Sequence, residues 1–175
     1  MPSFTLNSLS TVARSVGDLE QGVVGPAGLL AVDTSPAITL SGRAGLIVAG
    51  TVTTASSRAV SGTVGLDGTA FSTVNVTVGA AGMIVSDSPL AGGAVLLTLR
   101  ENTSFSFNNA GMVSARFLTV WIRSTASAHS NTIDLANSGI IDAATVCAVQ
   151  ADAGAGTVRL INSGRLTSAA GTVTL

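Results

Sequence analysis

The chain has few side chains that could perform chemistry. His129 is its single histidine and lies in the polar segment 124–131, with no acidic neighbour in sequence. A general base needs a partner that orients it, so a surface position is the simpler interpretation of this residue. Cys147 is the single cysteine. It can form neither an intramolecular disulfide nor a cysteine-based metal cluster, and we expect it to be a small buried apolar residue.

Two aspartates and a tryptophan are the remaining candidates. Asp134 and Asp142 alternate with apolar residues, so both are expected on the outside of strands, where paired carboxylates could cleave a glycan. Arg159 occupies the position of Asp134 in the following repeat, which favours an ion pair between the two. Trp121 alternates with apolar residues that are expected to point inward, so its own side chain is expected on the outside. There it should pack under a neighbouring loop, and the alternative is a platform on which a sugar stacks. We therefore predict a protein that is not an enzyme, with no catalytic residues, no cofactor and no metal ligands.

Composition excludes several classes of protein. Of the 175 residues, 46% are hydrophobic and 10% charged, which argues against a disordered chain because such chains lack apolar side chains. All basic residues are arginine and the net charge is −1, so no basic patch for nucleic acid is expected. No apolar run approaches the roughly 18 residues of a membrane helix, and no membrane span is predicted. The first residues lack the basic and apolar regions of a secretion signal.

A repeated turn pattern organises the chain. It consists of apolar-x-apolar, three residues, glycine, one residue and a further apolar residue. The asparagines Asn109, Asn137 and Asn162 stand two residues before the glycine in the last three copies, where the first two copies have Val48 and Ala80. We expect Asn and Gly to form a left-handed or bent corner between two strands. The five anchor glycines, separated by 32, 29, 28 and 25 residues, are Gly50, Gly82, Gly111, Gly139 and Gly164.

Short strands joined by bends at this spacing predict stacked coils. A coil of about 25 residues with three strands would stack on the next at about 4.8 Å. The chain is therefore predicted to be an all-β protein, a right-handed parallel β-helix of five to six rungs over 29–175. An N-terminal cap is expected over 1–28, with a weak helix within 10–20. The asparagines should form a ladder, and one inward column should contain Val52, Ile84, Val113, Ile141 and Leu166.

Two surfaces are predicted to mediate association. The outward position after the anchor glycine is apolar in Met83, Met112 and Ile140, which would form a lateral strip covered by a loop or by a neighbouring molecule. The segment 171–175 is interpreted as the first strand of a sixth rung, with Val173 and Leu175 at an unpaired assembly edge. Either the rungs continue beyond the chain end or another subunit stacks there. This predicts a homo-oligomer formed by end-to-end or lateral stacking.

The segments 135–143 (LANSGIIDA) and 160–168 (LINSGRLTS) resemble the rungs of large bacterial surface and secreted β-solenoid proteins. These include autotransporter passenger domains, filamentous adhesins and type I-secreted repeat proteins. The resemblance implies an extracellular or cell-surface location, reached without a classical signal peptide. It also implies a structural role, in which the solenoid self-assembles or forms part of a surface fibre. The alternatives are a monomeric adhesin module that binds a glycan or a host surface, a glycan lyase or hydrolase, and a trimer like a phage tailspike.

Overall fold

The chain forms a parallel β-helix. Its computed structural model describes residues 2–33, 36–55, 58–66, 71–88 and 93–175, apart from the side chain of Pro2. These residues contain 21 strands and no helix, so no helix among them could cross a membrane. The strands form three parallel sheets of seven, and each turn of the chain adds one strand to every sheet. The predicted fold class is confirmed, and the right-handed sense stays a prediction that follows the usual hand of parallel connections.

The three sheets take every third strand of the chain. Sheet 1 contains β1 (Pro2–Leu6), β4 (Gln21–Val24), β7 (Gly45–Val48), β10 (Ser72–Val78), β13 (Thr103–Asn109), β16 (Thr132–Asn137) and β19 (Thr157–Asn162). Sheet 2 contains β2 (Leu9–Ser10), β5 (Leu29–Ala31), β8 (Thr51–Thr54), β11 (Met83–Ser86), β14 (Met112–Ala115), β17 (Ile140–Ala143) and β20 (Arg165–Ser168). Sheet 3 contains β3 (Arg14–Val16), β6 (Ile38–Gly42), β9 (Val60–Val64), β12 (Gly93–Leu99), β15 (Leu118–Ser124), β18 (Cys147–Asp152) and β21 (Gly171–Thr174).

The solenoid has seven rungs rather than five to six. The first two rungs do not match the glycine-anchored turn pattern by which rungs were predicted, so the prediction was too low. The strands β1 to β4 pair within the same sheets as all later strands, so residues 2–28 have rung structure and form no separate cap. The helix expected within 10–20 is absent, and β3 occupies part of this segment. Burial of Val16 in the core outweighs the weak helical spacing of the segment. The segment 171–174 is the third strand of the last rung, not the first strand of another one.

The predicted inward column is present. Val52, Ile84, Val113 and Ile141 are register partners in successive rungs and are buried, and Leu166 continues the column in the last rung. Inward alternation along each strand places one continuous hydrophobic core inside the coil.

The alignment on glycine is wrong by two residues in one rung. It matched Val78 with Phe107, whereas Val78 pairs with Asn109 and Val76 pairs with Phe107. The corner 79–82 between β10 and β11 is two residues longer than the corner 110–111 between β13 and β14. Val78, not Ala80, therefore occupies the asparagine position of that rung.

The anchor glycines have a different role from the one predicted. A Cβ added at Gly111 would overlap the carbonyl oxygen of Gly82, and Gly139 stands in the same relation to Gly111. The positive φ angles of described glycines occur elsewhere, at Gly42, Gly62, Gly65 and Gly154. The corner therefore requires glycine because successive rungs approach closely, not because the backbone is left-handed.

Candidate functional site

The three asparagines form a hydrogen-bonded ladder at the corner between sheets 1 and 2. Nδ2 of Asn109 donates to Oδ1 of Asn137 at 2.7 Å, and Nδ2 of Asn137 donates to Oδ1 of Asn162 at 2.7 Å. At the N-terminal end of the ladder, the backbone N–H of Gly111 donates to Oδ1 of Asn109 at 3.1 Å. The ladder therefore has a direction, in which Asn109 and Asn137 each donate toward the following rung.

The ladder ends with a donor that faces the next rung position. Asn137 donates to Gly139 in its own rung and to two acceptors in the following rung, Oδ1 of Asn162 and the carbonyl of Arg165 at 3.3 Å. Asn162 makes the own-rung bond, from Nδ2 to the carbonyl of Gly164 at 3.1 Å. An amide nitrogen carries two hydrogens, so Asn162 retains donor capacity directed beyond the last rung.

The hydrophobic core is uncovered at the C-terminal end. Leu160 and Leu166 are only half-buried there, and Val173 is 36% and Leu175 63% exposed. One rung earlier, the register partners of Leu160, Leu166 and Val173 are at most 4% exposed. These partners are Leu135, Ile141 and Val149. Because β19, β20 and β21 each pair on one side only, the end also presents unpaired backbone.

The N-terminal end is different because an arginine points into the coil. Arg14 is the register partner of the buried Ile38, and it shares the inward face of β3 with Val16. Its Nη2 donates to Oγ of Ser10 at 3.3 Å, and Ser10 lies in register with the buried Leu30. Nε of Arg14 is buried without a partner among the described residues. Sequence reasoning missed Arg14, although its alternation with Val16 was the signal that places it inside.

The lateral strip lies on the outer face of sheet 2. Met83, Met112 and Ile140 are register partners, and Ile140 is exposed while the methionines are half-buried. Alanines of the adjacent corner, including Ala80 and Ala110, line a shallow groove beside them. Toward the N-terminus, the same column continues through Thr51, Leu29 and Leu9. Toward the C-terminus, it ends at Arg165 in the last rung.

Trp121 packs on the outer face of sheet 3 instead of standing free. It is half-buried between its register partners Leu96 and Gln150. The guanidinium carbon of Arg123 lies 5.0 Å from the ring centroid, a cation–π contact, and Nε of Arg123 donates to Oγ1 of Thr98 at 3.3 Å. Arginine thus occupies space over the ring that a sugar would need for stacking.

The two candidate carboxylates lie on different faces of the solenoid. Asp134 is on sheet 1 and Asp142 on sheet 2, so the structure does not bring them together. The predicted ion pair between Asp134 and Arg159 is wrong: the two are register partners, but their charged groups do not meet. Arg159 is exposed, and an ion pair with an exposed arginine gains little because solvent screens it. Asp142 instead accepts a hydrogen bond from Thr167 in the next rung.

An ion pair joins consecutive rungs at the corner between sheets 3 and 1. Oδ1 of Asp18 accepts from the backbone N–H of Arg43 at 2.8 Å and from Nε at 2.9 Å, and Oδ2 accepts from Nη2 at 2.6 Å. These side-chain and backbone hydrogen bonds lower the pKa of Asp18 from 3.8 to about 2. The same contact raises the pKa of Arg43. The contact clamps the two corners together.

The remaining polar candidates have local partners. Nδ1 of His129 lies 2.9 Å from Oγ1 of Thr125 within its loop, and the buried thiol of Cys147 donates to the carbonyl of Val149 at 3.0 Å. In the part of the chain that the structure describes, no three His, Cys, Asp or Glu side chains group as metal ligands would.

Comparisons with protein-family models, curated proteins and solved structures find no match to the chain.

Proposed function

We propose that the chain is a structural β-solenoid that forms part of an extracellular fibre, extended by rungs that stack on its C-terminal end. The observation that carries this proposal is the uncovered core at that end. The apolar columns of six rungs pass into the seventh, where Leu160, Leu166 and Val173 lose their cover. Full burial of an exposed aliphatic side chain contributes about 1.5–3 kcal/mol. These three are already partly buried, so a further rung would gain a fraction of that value from each of them.

Two other features support a structural role. Every rung contributes one strand to each of the three sheets, which gives the rod the repeating architecture expected of a fibre. The apolar strip of Met83, Met112 and Ile140 runs along the rod and would pack neighbouring solenoids side by side, as a homo-oligomer. The extracellular location depends on the resemblance of the asparagine-glycine rungs to bacterial surface solenoids.

The test appends one, two or four copies of residues 152–175 after Leu175. Thr174 is the register partner of Gln150, so a copy that begins at Asp152 after Leu175 continues the rung period of 24 residues. Each added rung should lengthen the rod by about 4.8 Å in small-angle scattering and raise the unfolding temperature. In a matched control, the copies carry Asp at the positions that correspond to Leu166 and Val173, and these should not fold. Appended segments that stay protease-sensitive, with an unchanged unfolding temperature, would contradict the proposal and favour a closed adhesin module.

A further inference from the structure

We infer that the C-terminal end discriminates among rungs. It fits a β-solenoid rung that carries Asn at the ladder position and apolar residues at the inward positions, and it does not fit the N-terminal rung of a second copy of this chain. The inference rests on the proposed function, because it names the partner of the same stacking surface. It also replaces the end-to-end stacking of identical copies that the sequence suggested.

The register defines which residues would meet if one copy stacked on another with the sheets in line. The ladder column runs from Asn162 through the sheet 1 partners to Leu6, so Leu6 of the second copy would lie beside Asn162. In sheet 3, the inward column runs from Val173 to Arg14, so the arginine would lie beside Val173. These two positions decide whether the ends match.

Leu6 cannot complete the ladder. Its side chain has no acceptor for Nδ2 of Asn162, so stacking would bury an unsatisfied amide hydrogen. An asparagine at this position would supply Oδ1, as Asn162 does for Asn137 at 2.7 Å. The ladder therefore favours an asparagine-bearing rung at the C-terminal end.

Arg14 opposes stacking more strongly. Arg14 is half-buried as a residue, and its Nε is already buried without a hydrogen-bond partner among the described residues. A rung stacked on it would enclose the charge among apolar side chains, with Ser10 as the hydrogen-bond partner that the structure provides. An inward-pointing charge is one of the ways in which proteins keep sheet edges from pairing. The N-terminal end is thus blocked, and the two ends are not complementary.

The experiment uses the wild-type chain as acceptor and a converted chain as probe. The probe carries Leu6→Asn and Arg14→Val, and its own C-terminal end is blocked by Val173→Asp and Leu175→Asp. In analytical ultracentrifugation, the probe should form a one-to-one complex with the wild-type chain, at least about tenfold tighter than a blocked chain with native Leu6 and Arg14. A blocked chain with Arg116→Val, which removes an exposed arginine, should bind as weakly as the unconverted chain.

A second arm does not depend on folding of the converted probe. In the chain extended by one copy of residues 152–175, the asparagine equivalent to Asn162 is replaced by leucine. The asparagine version should unfold at the higher temperature. Equal binding of converted and unconverted probes, equal unfolding temperatures of the two extensions, or filaments of the wild-type chain that grow with concentration would each overturn the inference. If neither extension folds, the proposed function fails as well, so the two failures are distinguishable.

Discussion

Ile140 and Ile141 are adjacent in sequence but lie on opposite sides of the wall of the coil. Ile141 is 2% exposed in the inward column, and Ile140 is 38% exposed in the lateral strip. Ile141→Asp should lower the free energy of unfolding by about 4 kcal/mol or more, because it buries an unpaired carboxylate. Ile140→Asp should cost less than about 1 kcal/mol. Urea titration of both variants measures the difference, and similar losses would contradict the assignment of the two faces.

The contact between Asp18 and Arg43 predicts a dependence of stability on pH. The pKa of Asp18 is about 2 in the folded chain against an ordinary value of 3.8, so folding favours the charged carboxylate. Its contribution is complete above about pH 4 and is lost as the pH falls from about 4 to about 2. In urea titrations, Asp18→Asn should remove this part of the pH profile, and Asp87→Asn, at an exposed position, is the matched control. A profile unchanged by Asp18→Asn would contradict the prediction.

The alternation of inward and outward residues along strands predicted most positions correctly. It also led to one wrong contact, and one inward residue was missed. The inward column through Ile84 and Ile141 follows from alternation, because only one face of a strand can enter the core. The predicted ion pair of Asp134 and Arg159 is wrong because register brings the two backbones together without fixing the long, exposed side chain of Arg159. Arg14 was missed because a charged residue inside a coil is unexpected unless it closes an end.

At the scale of the corner, the ladder should be most sensitive in its middle. Asn137→Ala removes hydrogen bonds to both neighbouring rungs. It leaves one hydrogen of the Asn109 amide without an acceptor, while the carbonyl of Ile140 at 3.0 Å still accepts the other. We expect a loss of about 2–3 kcal/mol, against about 1 kcal/mol for Asn162→Ala at the exposed end. Asn108→Ala, on the outward face of the same sheet, should be nearly neutral in urea titrations. Equal losses at positions 137 and 108 would show that the ladder contributes nothing.

The corners also explain which elements the sequence could predict. Rungs with the Asn-x-Gly corner were found because close approach of successive rungs restricts the corner to glycine. The first corner passes through Asn7 and Ser8 without glycine. Before the second corner, 25–28, Gly22 stands where the pattern requires an apolar residue, so neither corner matched. The corner 79–82 kept its glycine but changed its length, which shifted the register by two residues. Corner length is set by local packing and is not encoded in a single anchor residue.

For the whole molecule, the fold class was predictable and the difference between the ends was not. Repetition of one strand and corner pattern specifies a stack, since each rung buries its inner face only against its neighbours. The ends break this repetition. Their properties depend on single residues, Arg14 and Ser10 at one end and Asn162 and Val173 at the other. Such positions follow no period, so they emerge only when the register of every rung is known.

This stacked architecture predicts a gradient of local stability along the rod. Central strands such as β10 and β13 are seven residues long and are paired on both sides, whereas β19, β20 and β21 are paired on one side. In a solenoid, stability is approximately a sum of nearest-neighbour terms, so opening should begin at the last rung. Hydrogen exchange should be slowest in β10 and β13 and fastest in the last rung. Val173→Asp should accelerate exchange in the last two rungs only, whereas Val113→Ala, in the buried column, should accelerate it throughout the central rungs. Uniform exchange across all rungs would instead mean that the rod opens as one cooperative unit, and the C-terminal end would then have no independent role as a stacking surface.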